Sequence, residues 1–471
     1  MSLSTPAATP SGRPPRWVGP ALLALVAAVV VLLGLLAASI MERRWEAQQP
    51  ALIVRPLAEW EPDNAAWGEN YPREHESYLR TRGATTRTKF GGSFPRDYLD
   101  EDPLLVVLYG GSAFSKDYRQ ARGHYYSVQD VAATKRVGPA AVGTCWTCKS
   151  TDVPRLMAAM GAKEFYAAKF DDLRPQVAHP IGCQDCHDPR TMTLRITRPA
   201  LRDALAARAR RPEDAAHQEM RSLVCAQCHA EYYFREGTHL VFPWAKGLSV
   251  EEMIAYYDEH NFTDYTHAVS KAAIVKAQHP DYELYASGIH AYRGVACADC
   301  HMPYRTEGAV KFTSHHVQSP LLDVAVSCAV CHRWSEEEIR ARVEVVQAKT
   351  AGAKASAEKA LAAAHFDVAA AAQAGSADAD LAGARRLIRH AQFRWDYVAS
   401  SNGMGFHSPQ EAMRILGEAM KEAQESRLLA ARLLARRGVA AEPKHPDVST
   451  REKAAAVVAA FAEGRPPSLL P

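Results

Sequence analysis

The chain has 471 residues, enough for two or three ordinary domains. Its net charge of +3 comes from 56 basic and 53 acidic residues, of which residues 1–44 hold Arg13, Arg16, Arg43 and Arg44 against Glu42. The remaining 52 basic and 52 acidic residues balance, so no asymmetry points to nucleic acid, and clusters such as Arg208, Arg210 and Arg211 read as solvated faces.

Residues 1–16 lead into an uncharged stretch, Trp17 to Met41, rich in Leu, Val and Ala. Its length suffices to cross a bilayer with some tilt. It reads as an uncleaved signal anchor with a cytoplasmic N-terminus. Ala37-Ala38-Ser39 keeps a cleaved secretory peptide open as the alternative. Residues 42–60 read as a polar tether.

From 61 to 335 the sequence is broken by Pro, Gly and polar turns, and no alternating strand pattern persists. All ten cysteines fall here, in five Cys-x-x-Cys pairs with none left over. Four pairs are followed by histidine: Cys183-Cys186-His187, Cys225-Cys228-His229, Cys297-Cys300-His301 and Cys328-Cys331-His332. The fifth, Cys145-Trp146-Thr147-Cys148-Lys149, carries lysine in that place. Two thiols that bond the haem edge and a following base that reaches the iron make this a c-type attachment pattern. Structural zinc or disulfides would not explain the four histidines. Haem c is attached outside the cytoplasmic membrane, so the body is expected in the periplasm. Successive motifs start 38, 42, 72 and 31 residues apart, which is no solenoid period. Such a density leaves little room for a side-chain core, and the porphyrins are expected to be the apolar filling. Four low-spin haems need eight histidines; the motifs supply four of the 19 present.

After Trp334 the texture changes. Residues 335–365, 378–400 and 408–437 read as three long helices, with Gly375 and Ser376, then Asn402, Gly403 and Gly405, as breaks. Residues 449–463 read as a short final helix opening at Ser449-Thr450. The long helices of 336–471 can brace the haem region or pair with another subunit. The expected fold is mainly α: a multihaem cytochrome c fold of short helices and loops, then long C-terminal helices.

Five segments then resemble one family, the ammonia-forming cytochrome c nitrite reductases. They are Arg-Gly-His at 122–124, Cys-Trp-Thr-Cys-Lys at 145–149, Cys-His-Ala-Glu-Tyr-Tyr-Phe at 228–234, Lys-Ala-Gln-His-Pro at 276–280 and Gly-Ile-His at 288–290. The likeness runs from about 85 to 460. It departs in a short stretch between Arg136 and Cys145 and in a long N-terminal apolar segment.

The resemblance implies a pentahaem enzyme that reduces nitrite to ammonium at a haem ligated by Lys149, whose other face stays open to substrate. It implies Arg136, Tyr232 and His279 as catalytic side chains. A cation attracts the anion, and histidine and tyrosine can deliver the protons that leave with oxygen as water. It implies distal ligands by context: His124 for His229, His315 for His187, His407 for His301 and His290 for His332. His316 adjoins His315, and Phe-Thr-Ser-His favours the earlier one. It further implies one calcium ion held by Glu231, Tyr232, Lys276 and Gln278, the second and third through main-chain carbonyls. Electrons would come from a membrane multihaem quinol dehydrogenase, and the long helices would form a homodimer. Two other readings stand beside this one. One is a pentahaem electron carrier without catalysis; the other is a lysine-haem reductase acting on hydroxylamine, sulfite or tetrathionate.

Overall fold

The structure, a computed structural model, describes residues 15–48 and 53–471. It is mainly α-helical; strands occur among the described residues only as three two-stranded hairpins. Helix α1 spans Val18–Gln48 and holds the apolar stretch expected at 17–41. It runs seven residues past Met41, because Glu42–Gln48 is composed largely of good helix formers. The first part of the expected tether at 42–60 is therefore helical. Its residues 49–52, and the leading residues 1–14, lie outside the described residues.

Residues 55–304 and 313–471 form one compact unit. Within it the motif region is built from short elements. Helix α2 (His217–Ala226) carries Cys225, and α3 (Val250–Glu259) is closed by a reciprocal cap between Ser249 and Glu252. Strand β1 (Tyr233–Arg235) pairs antiparallel with β2 (His239–Val241), and β3 (Tyr265–Thr266) with β4 (Ala273–Ile274). The third hairpin joins β5 (Tyr304–Glu307) to β6 (Val310–Thr313).

The C-terminal helices are α4 (Glu336–Gln373), α5 (Asp378–Ala399), α6 (Pro409–Arg436) and α7 (Arg451–Ala462). Ser335 accepts from the Glu338 N–H at 3.2 Å while Glu338 accepts from the Ser335 N–H at 2.9 Å, a capping box that starts α4. The helix runs to 373, eight residues beyond the expected end. Half of residues 366–373 are alanine, the stretch turns an apolar face inward, and Gly375 at φ +86° ends the helix. Thr450 caps α7.

Helix α5 buries Leu381, Ala384, Ile388, Ala391, Trp395 and Val398, a strict three–four spacing. Helix α6 answers with Ala412, Ile415, Leu416, Ala419, Ala423 and Ala430. Alanines on both surfaces let the backbones approach closely, so this part of the core is filled by side chains alone.

Candidate active site

One cavity of about 2320 Å³ runs through the motif region. All ten cysteines line it, as do Lys149 and the four histidines that follow the other pairs. None of the ten is in a disulfide. Among the described residues no three His, Cys, Asp or Glu side chains converge on one point, so the pairs assemble no tetrahedral zinc site.

Each motif histidine instead faces one further imidazole. Ring centres are 6.4 Å apart for His124 and His229, and 6.2 Å for His187 and His315. They are 6.3 Å apart both for His290 with His332 and for His301 with His407. Metal–imidazole bonds of about 2.0–2.1 Å on both sides of one ion put ring centres roughly 6.3 Å apart. The four pairs thus fit a six-coordinate haem iron between each.

The tautomers agree with that fit. The Nδ1 of His187, His301 and His315 each lies 2.9 Å from a main-chain carbonyl, of Met192, Gln318 and Thr313. A carbonyl only accepts, so each ring donates from Nδ1 and leaves Nε2 for a metal. Burial, then the facing imidazole, pushes His124, His187 and His301 down to about 4, the neutral form a metal needs.

Local sequence explains the placements. Gly123 sits at φ +99°, which favours glycine, and delivers His124 after Arg122 is pinned to Asp130 at 2.6 and 2.8 Å. A Cβ on Gly288 would stand 2.0 Å from the carbonyl oxygen of His407, so glycine there lets the chains bearing His290 and His407 touch. The Ser127 hydroxyl lies 2.8 and 2.7 Å from the carbonyl oxygens of His124 and Lys149, with one hydrogen to share between them.

The Cys145–Lys149 turn is anchored by Trp146, which stacks on Phe170 at 4.0 Å and donates to its carbonyl at 3.0 Å. Arg198, fully buried, donates to the carbonyls of Thr147 and Ser150 at 2.7 and 3.0 Å and pairs with Asp185 at 2.6 Å. It staples the lysine motif to the Cys183 motif.

Around the lysine motif lie Tyr232, Arg136 and His279, all on the cavity wall. Burial raises the Tyr232 phenol, followed by the Cys148 and Cys145 thiols, with Arg136 opposing. Burial, then the nearby Lys149 side chain, pushes His279 down to about 3, and its Nδ1 is buried without a protein partner. Arg136 lies 4.4 Å over the Phe114 ring, and its Nε donates to Thr134 at 3.2 Å. Thr134 in turn donates to Asp117 at 2.7 Å. The cluster offers a fixed cation and two neutral groups able to carry a proton.

Behind it, Glu231 is fully buried and accepts from Gln278 N–H at 2.6 Å and Tyr257 at 2.9 Å. Burial raises its pKa well above the ordinary range. The Gln278 amide lies 3.2 Å from the Lys276 carbonyl. Turned over, that amide would set two acceptors side by side, an arrangement that needs a cation between them. A carboxylate, an amide and main-chain carbonyls fit calcium. The Lys276 ammonium points away, to Asp396 of α5 at 3.0 Å. Asp396 also accepts from Ala277 N–H at 3.0 Å and from Tyr109 at 2.7 Å.

Asn402 donates to Asp281 twice, at 2.8 Å each. The segment 276–281 is thus fastened from the C-terminal helical region at two points. Arg198, Asp396, Asp281 and Phe114 gave no sign in the sequence, since each is one polar or aromatic residue outside any motif.

Residues 63–464 match the cytochrome c552 family. The chain is 48% identical over 447 residues to a cytochrome c-552 of Bacteroides fragilis, covering 93% of this chain and 91% of that one. A cytochrome c-552 of Porphyromonas gingivalis is 47% identical over 436 residues, covering 90% and 88%. Among solved structures, the catalytic subunit of the cytochrome c nitrite reductase from Desulfovibrio desulfuricans, which has two calcium sites, superposes with a TM-score of 0.78. It is 32% identical and covers 80% of this chain and 88% of that one. With its mainly helical multihaem cytochrome c fold, the chain belongs to the cytochrome c552 family.

Proposed function

We infer that the protein reduces nitrite to ammonium at the haem held by Cys145, Cys148 and Lys149. One observation carries this reading. Four motif histidines each face a second imidazole at 6.2–6.4 Å, while the fifth motif ends in lysine and has Arg136, Tyr232 and His279 around it. The haems would relay six electrons from an external donor, and the one held by Lys149 would offer the iron that binds nitrite.

The chain's own residues do the rest. The Arg136 guanidinium draws in the anion and holds it, and it keeps its proton throughout. Converting nitrite to ammonium and two waters consumes eight protons. His279 would pass protons to the oxygens that leave as water, taking each one up from solvent before handing it on. Tyr232, whose phenol keeps its proton, is the second donor. Their position on the cavity wall limits how much bulk water competes for these contacts. A calcium ion on Glu231, Gln278 and the carbonyls of Tyr232 and Lys276 would hold the two catalytic segments together.

A periplasmic body fits the requirement that haem c be attached outside the cytoplasmic membrane. Helix α1 fits a signal or an anchor and would keep the enzyme near a membrane quinol-oxidising multihaem donor. Val345, Met413, Met420 and Leu428 are exposed on the long helices and favour pairing with a second copy.

The test is nitrite consumption with a dye electron donor, with ammonium measured. Ammonium should match nitrite consumed, and His279→Asn should lower kcat by about 10²–10³-fold, the usual share of a general acid. Nitric oxide as the product, or faster turnover of sulfite or hydroxylamine than of nitrite, would reject this reading.

A further inference from the structure

An axial imidazole's strength as an electron donor depends on what its other nitrogen faces. His187, His301 and His315 face neutral carbonyls. His229 differs: its Nδ1 lies 3.4 Å from a carboxylate oxygen of Asp281. That carboxylate is buried and rigidly held. Asn402 donates to Oδ1 from its main chain and to Oδ2 from its side chain. The Asp281 N–H donates to the His279 carbonyl at 2.7 Å, and the Tyr282 N–H to the His229 carbonyl at 3.0 Å.

The place of His229 in the molecule gives this contact weight. The Cys148 and Cys228 side chains are neighbours, as are those of Cys225 and Cys297. Cys186 lies within electrostatic reach of Cys225. The Cys225–His229 motif therefore adjoins three of the other four, including the lysine motif. This places the His229 haem site next to the lysine motif, where it can hand electrons on.

An anionic acceptor raises electron density at the metal-binding nitrogen and favours ferric over ferrous iron. We propose that Asp281 is a positioning residue that sets the reduction potential of the haem on His229 and His124 below those of the other three bis-histidine haems. The junction beside the lysine motif then gives up its electron with the largest driving force. This deepens the pentahaem reading above and rests on it.

The test is an EPR-followed potentiometric titration of the haem-loaded full-length protein. In Asp281→Asn the bis-histidine wave of the His229 haem should rise most. At a fixed potential its reduced-to-oxidised ratio should grow about tenfold, or about 59 mV for a one-electron couple, while the haem between His301 and His407, which Asp281 also reaches electrostatically, rises less and the other two stay. Asp281→Glu should return it. Asn402→Ala removes a donor from the same carboxylate, leaves more charge for His229, and should move that wave down. This variant carries the test if Asp281→Asn fails to load haem. Four unmoved waves in Asp281→Asn overturn the proposal; so does an unmoved or raised wave in Asn402→Ala. A moved wave in a protein that makes no ammonium would reject the nitrite reading alone. Full nitrite activity with unmoved waves would reject the Asp281 role alone.

Discussion

The C-terminal helices and the motif region close their interiors by different means. In α5 and α6, Leu, Ile, Trp and Ala repeat at helical spacing and pack directly on each other. In the motif region, short helices and loops surround a cavity of about 2320 Å³ whose wall carries ten cysteines and the paired histidines. The first design draws its stability from apolar burial within the chain. The second needs a large apolar group held by thiols and imidazoles to bring its walls into contact. Asp396 and Asn402 join the two, so the region that packs alone steadies the segment carrying His279.

This contrast predicts a large effect of withholding haem. Protein made without haem attachment should be cleaved by a trace protease between 120 and 335 well before any cut within 336–462. Equal rates in both regions would contradict the contrast. A smaller effect follows from Trp395→Ala, since Trp395 is fully buried between α5 and the Tyr109 ring at 6.0 Å. It should cost about 3–5 kcal/mol in denaturant unfolding of the loaded protein and leave the haem spectrum unchanged. A cost below about 1 kcal/mol, or a changed spectrum, would show that the helices do not stand apart from the haem region in this way.

The smallest effect concerns acid. Burial alone would raise the Asp152 carboxyl, but N–H groups of His179 and Ala178, each at 2.9 Å, with His179 and Arg155, hold it below its ordinary value of 3.8. A folded value below the unfolded one adds stability at higher pH and loses it as acid carries the pH down through that range. This carboxylate ties the chain just after Lys149 to 178–179. Asp152→Asn should therefore lower stability by about 1–3 kcal/mol at pH 6 and soften the loss as the pH falls below the ordinary carboxylate value. Unfolding curves above and below that value check it; an unchanged acid slope would assign the loss to other groups.

How much of this was legible in the sequence follows from the range of each signal. The attachment motifs span five residues, and the long helices announce themselves by composition, so both could be read directly. The end of α4 was placed at 365, ahead of the break at Gly375 and Ser376, whereas Phe366 and Val368 are buried and the helix runs to 373. The distal histidines were chosen from short contexts by resemblance, and His315 is the one whose ring stands beside His187. Asp281 and Asp396 were not legible. The first acts on His229 across 52 residues and the second on Lys276 across 120, and a single carboxylate leaves no local pattern. Glu283 was missed for the same reason; it accepts from Glu231 N–H and from Trp244, and burial pushes it up to about 8.

The claim on which the account turns is that the lysine motif differs in kind from the other four. EPR of the fully oxidised, haem-loaded protein, with and without nitrite, tests it most directly. One high-spin ferric signal beside the low-spin ones, changing when nitrite is added, is the result expected. Five low-spin signals, or a high-spin signal indifferent to nitrite, would contradict it and leave a chain that only carries electrons.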